Sequence, residues 1–138
     1  VAWNGFVQDK NRQMKLESKI TAELMAANRL PPISWEVKRT IGKSIPFDAF
    51  ADHQITNLMK AKHQRLNIKI KDVGRALKEF DGMTLDKVPS WCICCYPAEN
   101  KDGYNAYAID IDVWYQERRT CGRKSLTEER AIELGTLI

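Results

Sequence analysis

Long apolar runs are missing from this 138-residue sequence: none approaches the ~18–20 residues that a membrane span needs. The opening stretch VAWNGFVQDK lacks the basic-then-apolar layout of a signal peptide. A soluble, intracellular protein is the expectation. Internal repeats and low-complexity tracts are also missing, which excludes solenoids and disordered linkers as the main architecture. Cysteine is sparse and badly spaced for metal: Cys92, Cys94, Cys95 and the distant Cys121 fit neither a paired C-x-x-C zinc pattern nor a dense disulfide framework. On a strand, Cys92 and Cys94 point one way and Cys95 the other, so buried, reduced thiols are expected. The excess of positive charge is small, +4, and permits a polyanionic partner without demanding one.

What is present fits one domain over residues 1–138 with one core, with residues 1–13 expected as a flexible N-terminal arm. MKLESKITAELMAANRL carries Leu16, Ile20, Leu24 and Ala27 near helical spacing and predicts a first helix ended by Pro31-Pro32. ISWEVKRT alternates Ile33, Trp35 and Val37 with Ser34, Glu36 and Lys38, which predicts a central strand with Glu36 and Lys38 on its polar face. Pro46 interrupts a turn or short strand in IGKSIPF. DAFADHQITNLMKAKHQ then reads as a helix, with Phe47, Phe50, Ile55 and Leu58 as its apolar stripe and Lys60, Lys62 and Arg65 left for solvent or ligand.

The segment NIKIKDVGRALKEFDGMTLDKVP opens with a short alternation and becomes an irregular excursion. SWCICCYP and GYNAYAIDIDVWY read as two strands of a hairpin around AENKDG, with VWYQERR either continuing the strand or starting a helix. SLTEERAIELG places Ser125 and Glu128 at capping-box spacing and Gly135 at the helix end. The order predicts an α/β class with a central mixed β-sheet flanked by helices.

Glu-x-Lys on a strand puts a carboxylate and an ammonium on one face. There the first can hold Mg²⁺ and the second can orient or help deprotonate a water and offset phosphate charge. The pattern alone also suits any solvated strand. Its context is more specific: a helix with Glu17 and Glu23 precedes it, and the bend-and-helix stretch SIPFDAFADHQ and the strand AYAIDID follow WEVK. In these motifs, over roughly Leu16 to Tyr115, the chain resembles the PD-(D/E)XK nuclease superfamily and is similar within it to RecU-type Holliday junction resolvases and related small phage proteins.

The resemblance implies a restriction-endonuclease-like fold and an Mg²⁺- or Mn²⁺-dependent endodeoxyribonuclease that resolves branched DNA as a homodimer. It would act in the cytoplasm, that of a bacterial host if the chain is phage-encoded. It further implies Glu36 as metal ligand, Lys38 as catalytic lysine, Gln54 as a polar group at the mouth of the site and Glu17 as a first-helix acid near the metal. Glu17 also reads as a solvent-facing helix residue, and His53 as either a phosphate contact or a surface group.

These nucleases carry an aspartate on a strand before Glu-x-Lys, whereas only Asp9 precedes Glu36 here. A second metal-binding acid is therefore expected from the excursion. Asp81 is preferred because Phe80 can anchor its turn, and Asp72 is the reserve; Asp72, Asp81 and Asp86 read equally as loop charges. Asp110 and Asp112 would share a face of AIDIDVW, as a clamp or as structure. Lys43, Lys60, Lys62, Arg118 and Arg119, with Arg123 and Lys124, are the candidate phosphate contacts, though charge runs are commonly solvated faces. A non-catalytic nucleic-acid-binding protein that keeps the nuclease fold is the alternative function, and a small structural protein the third.

Overall fold

The computed structural model describes residues 17–31, 34–69, 82–99 and 103–138. Helix α1 (17–26) is followed by β1 (Trp35–Arg39), β2 (Ser44–Pro46), a 3₁₀ turn (Phe47–Ala49), α2 (Asp52–His63), β3 (Arg65–Lys69), β4 (Gly82–Asp86), β5 (Trp91–Pro97), β6 (Tyr104–Asp110), α3 (Ile111–Thr120), β7 (Ser125–Thr127), α4 (Glu128–Leu134) and β8 (Thr136–Leu137). The main sheet has the order β1-β5-β6-β8 and is mixed: β1 runs parallel to β5, and the remaining pairs are antiparallel. The predicted mixed α/β architecture is therefore present. Among the described residues β1 is an edge strand of this sheet rather than the central one expected, because it pairs with β5 alone while β5 and β6 form the middle of the sheet; β2 to β4 lie in the crossover that a parallel β1–β5 pair requires. No helix among the described residues is long and apolar enough to cross a membrane.

Strand alternation sorts the core into two layers. Cys92, Cys94, Tyr96, Tyr107 and Ile109 face α2, α3 and α4, where they pack with Phe47, Phe50, Ile55, Leu58 and Trp114. Val37, Ile93, Cys95, Ala106 and Ala108 face α1 and meet Ile20 and Leu24. The expected stripe of Phe47, Phe50, Ile55 and Leu58 is buried throughout. Its centre is Trp114, which meets the edges of Phe47 and Phe50 at centroid distances of 5.7 and 5.1 Å. The cysteines split between the layers as the alternation predicts and are free thiols. Burial pushes Cys95 up to about 12, in keeping with a thiol that packs as a small apolar residue.

Local chemistry moves several boundaries. Helix α1 ends at Ala26, and just beyond it Asn28 adopts a left-handed φ of 54° while Arg29 N–H donates to the Leu24 carbonyl at 2.9 Å, before the prolines are reached. The helix expected over residues 48–64 is broken, with Phe50 and Ala51 extended and α2 restarting at Asp52. The excursion begins and ends as an antiparallel ribbon, β3 on β4, paired from Arg65↔Asp86 to Lys69↔Gly82.

Strand β6 stops at Asp110. The Asp110 carboxylate accepts from Asp112 N–H at 2.9 Å and caps α3, so the two aspartates do not share a strand face. Thr127, not Ser125, caps α4, because Ser125–Thr127 pairs with β2. Gly135 ends α4 as expected, and a Cβ there would stand 2.6 Å from the Ala108 carbonyl, so only glycine lets the chain close onto β6.

Candidate active site

The period of two in β1 buries Val37 toward α1 and turns Glu36 and Lys38 to the opposite face. Parallel register places Glu36 beside Cys92 and Lys38 beside Cys94, against the apolar layer under α2. The two charged groups are therefore half-buried, with side chains 33% and 18% exposed, and Lys38 Nζ lies 3.7 Å from Glu36 Oε1. Helix α2 supplies the third group. Gln54 occupies the third position of its first turn, where its Oε1 accepts from Ala51 N–H at 3.0 Å. That bond fixes the amide, so its NH₂ faces β1 and donates to Glu36 Oε1 at 2.9 Å.

Burial raises the Glu36 pKa above the ordinary carboxylate value; Lys38 opposes the shift, and the nearby Glu17 carboxylate adds to it. His53 lies close enough to favour the charged form slightly. Glu17 Oε1 accepts from the Arg39 amide at 3.4 Å, on the edge of β1. Glu17 and Glu36 line one cleft of about 450 Å³ between α1 and that edge, floored by Trp35 and Val37. The sequence-derived set Glu36, Lys38, Gln54 and Glu17, with His53 beside it, is thus brought together from α1, β1 and α2. Asp72 and Asp81 lie outside the described residues. Asp86 pairs with Arg65 at the base of the β3–β4 ribbon. Among the described residues no group of three His, Cys, Asp or Glu side chains is arranged to hold a metal ion.

The candidate phosphate contacts divide. Lys43 and Lys60 are exposed. Lys62, expected to be available to a ligand, is instead committed to the protein. Its ammonium lies 2.8 Å from both Asp110 oxygens and 2.5 Å from Asp112, while His63 Nε2 contacts Asp112 Oδ1 at 2.7 Å. Burial works against charge on Lys62, but the bonds from Asp110 and Asp112 outweigh it and raise its pKa. Burial also works against the Asp112 carboxylate, and the bonds from Lys62 and His63 hold it below its usual range. Arg118 lies 3.7 Å from Asp52 and 5.8 Å from the Trp114 ring, and Arg119 lies 5.7 Å from the Tyr115 ring centroid.

Sequence reading singled out Lys62, Asp110 and Asp112 separately but missed the pairing of Lys62 and His63 with the two aspartates, across contacts that span 48 to 50 residues of chain. It also missed Tyr115, for which the spacing of four to Arg119 on one helix was a usable sign. No family model, curated protein or solved structure matches this chain.

Proposed function

We propose that this chain is a divalent-metal-dependent DNA endonuclease of the PD-(D/E)XK kind, selective for branched DNA such as Holliday junctions and acting as a homodimer. The observation that carries the reading is the single cluster of Glu36, Lys38 and Gln54, in which a half-buried carboxylate accepts from an amide held by the helix cap and lies beside a lysine. A solvated strand would leave Glu36 and Lys38 in water. Two opposed strands of a junction call for two such sites, which a twofold dimer supplies.

Mg²⁺ or Mn²⁺ takes one or two carboxylates plus water and phosphate oxygens. Glu36 and Glu17, opening on one cleft, fit that requirement, and Asp81 remains the acid proposed to join them. When bound, such a cation offsets phosphate charge and acidifies water. Lys38 holds the attacking water and offsets developing negative charge, and Gln54 fixes the Glu36 carboxylate. The oxygen of that water bonds to phosphorus while the water gives up a proton to the surrounding solvent, the bond from phosphorus to the leaving oxygen breaks, and the leaving oxygen takes up a proton from solvent. Lys43, His53, Lys60, Arg118 and Arg119 are proposed to position the DNA backbone.

The second reading is a DNA-binding protein that keeps the fold without cleaving. It is favoured by the departure from the family pattern before Glu36, where Asp9 is the one aspartate in the sequence. Labelled junction, duplex and single-stranded DNA, each with and without Mg²⁺, separate the two. Metal-dependent nicking of junctions that disappears in Glu36→Gln supports the nuclease, and junction binding without cleavage at any metal concentration refutes it. Asp81→Asn identifies the further acid if it weakens both Mg²⁺ binding and cleavage; unchanged rates exclude Asp81.

A further inference from the structure

Helices α2 and α3 run antiparallel and are clipped at both ends, by Arg118 to Asp52 at one and by Lys62 and His63 to Asp112 at the other. Between the clips lies a groove of about 430 Å³, within the ~300–1,000 Å³ of small-ligand sites. Ile55 and Met59 form its apolar part, and the Tyr115 ring, 38% exposed, lines it from α3. The Arg119 guanidinium lies over that ring, 5.7 Å from its centroid, so a cation stands against the aromatic group that lines the groove. Lys60 stands at the rim, and Thr56 and Gln64 offer a hydroxyl and an amide. No acid lines the groove, and the carboxylates of the two clips, Asp52 and Asp112, face Arg118, Lys62 and His63.

We propose that this groove takes an unpaired nucleotide of a DNA strand, its base against Tyr115 and its phosphates toward Lys60 and Arg119. The inference rests on the DNA-binding part of the proposed function and adds a source of its structure selectivity. A paired base keeps its faces stacked within the duplex, whereas an unstacked base at a branch point presents a π-face to an aromatic ring. Charge complementarity selects the occupant: an apolar helix would leave Lys60 and Gln64 without partners. An acidic peptide would meet the cations but leave the flat ring unused.

The test uses the full chain in EDTA, so that binding is read without cleavage, with a single-stranded oligodeoxynucleotide carrying one 2-aminopurine as the probe. Wild type is expected to quench the 2-aminopurine on binding. Tyr115→Ala should lower affinity by about ten-fold and abolish the quench, whereas Tyr115→Phe, which keeps the ring, should stay within about two-fold. Circular dichroism melts of the variants confirm folding, which a partly exposed ring should not control. A probe that binds unquenched, equal affinity of Tyr115→Ala, or equally effective competition by polyglutamate would overturn the groove while leaving the Glu36 site standing. Failure of the chain to bind any DNA would overturn both readings.

Discussion

Gln54 is the residue whose replacement tests the site most sharply, because its two hydrogen bonds do different work. Gln54→Ala removes the acceptor for Ala51 N–H and the donor to Glu36. Loss of the cap costs about 1 kcal/mol. Loss of a bond to a charged group costs ~1.5–3 kcal/mol when dry. Glu36 is one-third exposed, so water recovers much of that, and ~0.5–1 kcal/mol is the better figure. The sum, about 1.5–2 kcal/mol, corresponds to a melting temperature lower by roughly 5–8 °C for a chain of this size.

Gln54→Glu keeps the acceptor for the cap and sets a second carboxylate against Glu36. At ~5 Å and an effective dielectric of ~40 the repulsion is ~1.7 kcal/mol. Two carboxyl groups so placed raise each other's pKa beyond the rise that burial already gives Glu36. An acid with a raised folded-state pKa binds more protons folded than unfolded. Stability is therefore regained as pH falls through the folded pKa and lost as pH rises through it. Gln54→Glu should be close to wild type in acid and least stable at neutral pH, whereas Gln54→Ala should keep at both the cap share of its deficit, about 1 kcal/mol. Melts followed by circular dichroism at pH 5 and 7.5 check this. Wild-type melting of Gln54→Ala, or a Gln54→Glu deficit that ignores pH, would refute the contact and with it the fixed geometry of Glu36.

On the proposed nuclease function, Lys38→Ala should abolish cleavage while junction affinity stays within a few-fold, since the lysine would act in the transition state and other cations would supply the backbone contacts; equal losses in gel shift and turnover would make Lys38 an ordinary phosphate contact. Lys62→Met leaves Asp110 and Asp112 facing each other without their cation and should cost about 1–2 kcal/mol in neutral urea melts, discounted for partial exposure. Because Asp112 is held below its usual pKa, this stabilisation exists above the carboxylate range and is lost as pH falls through the folded pKa. The deficit of Lys62→Met should therefore vanish in strong acid, and a constant deficit would assign it to packing. Gly135→Ala drives a Cβ against the Ala108 carbonyl and Ile109 and should cost about 1–3 kcal/mol, read in the same melts; a neutral result would show that β8 shifts freely.

Legibility followed the range of the forces involved. Period two in WEVKR and in the cysteine strand survives in the structure because each face of the sheet has its own buried layer, so a slip would expose the whole set. The Phe47–Leu58 stripe survives for the same reason. What sequence reading missed was decided by contacts without local trace. The position of β1 at an edge depends on where β5 and β6 pair, and the end of β6 at Asp110 depends on a carboxylate choosing to cap the next helix. The site was legible in part: Glu36 and Lys38 followed from alternation. The resemblance singled out Gln54, but its aim at Glu36 depends on the break between Phe50 and Asp52, which sets the phase of α2.

That phase is what connects the two ends of α2. At its start the helix places Gln54 on Glu36; at its finish it places Lys62 on Asp110 and Asp112 and His63 on Asp112. Ile55, Leu58 and Ala61, buried on the sheet side, fix its depth. Apolar contacts alone leave a helix some freedom to roll and slide, because they are not directional. A directional bond at each end removes both freedoms, and the distal anchor takes Asp110 from the end of β6, in the same sheet as Glu36, and Asp112 from the first turn of α3. The sheet therefore carries both anchors, and α2 spans them. In this arrangement the Lys62 ammonium has a role in the site even though it is already held by two carboxylates. Breaking its contact lets the far end of α2 move, and an amide at the near end that must meet Glu36 at hydrogen-bond distance is the first group to lose its aim. On the proposed function, Lys62→Met should thus weaken Mg²⁺ binding at Glu36 as well as stability, although its own side chain is held beside Asp110 and Asp112 rather than beside Glu36.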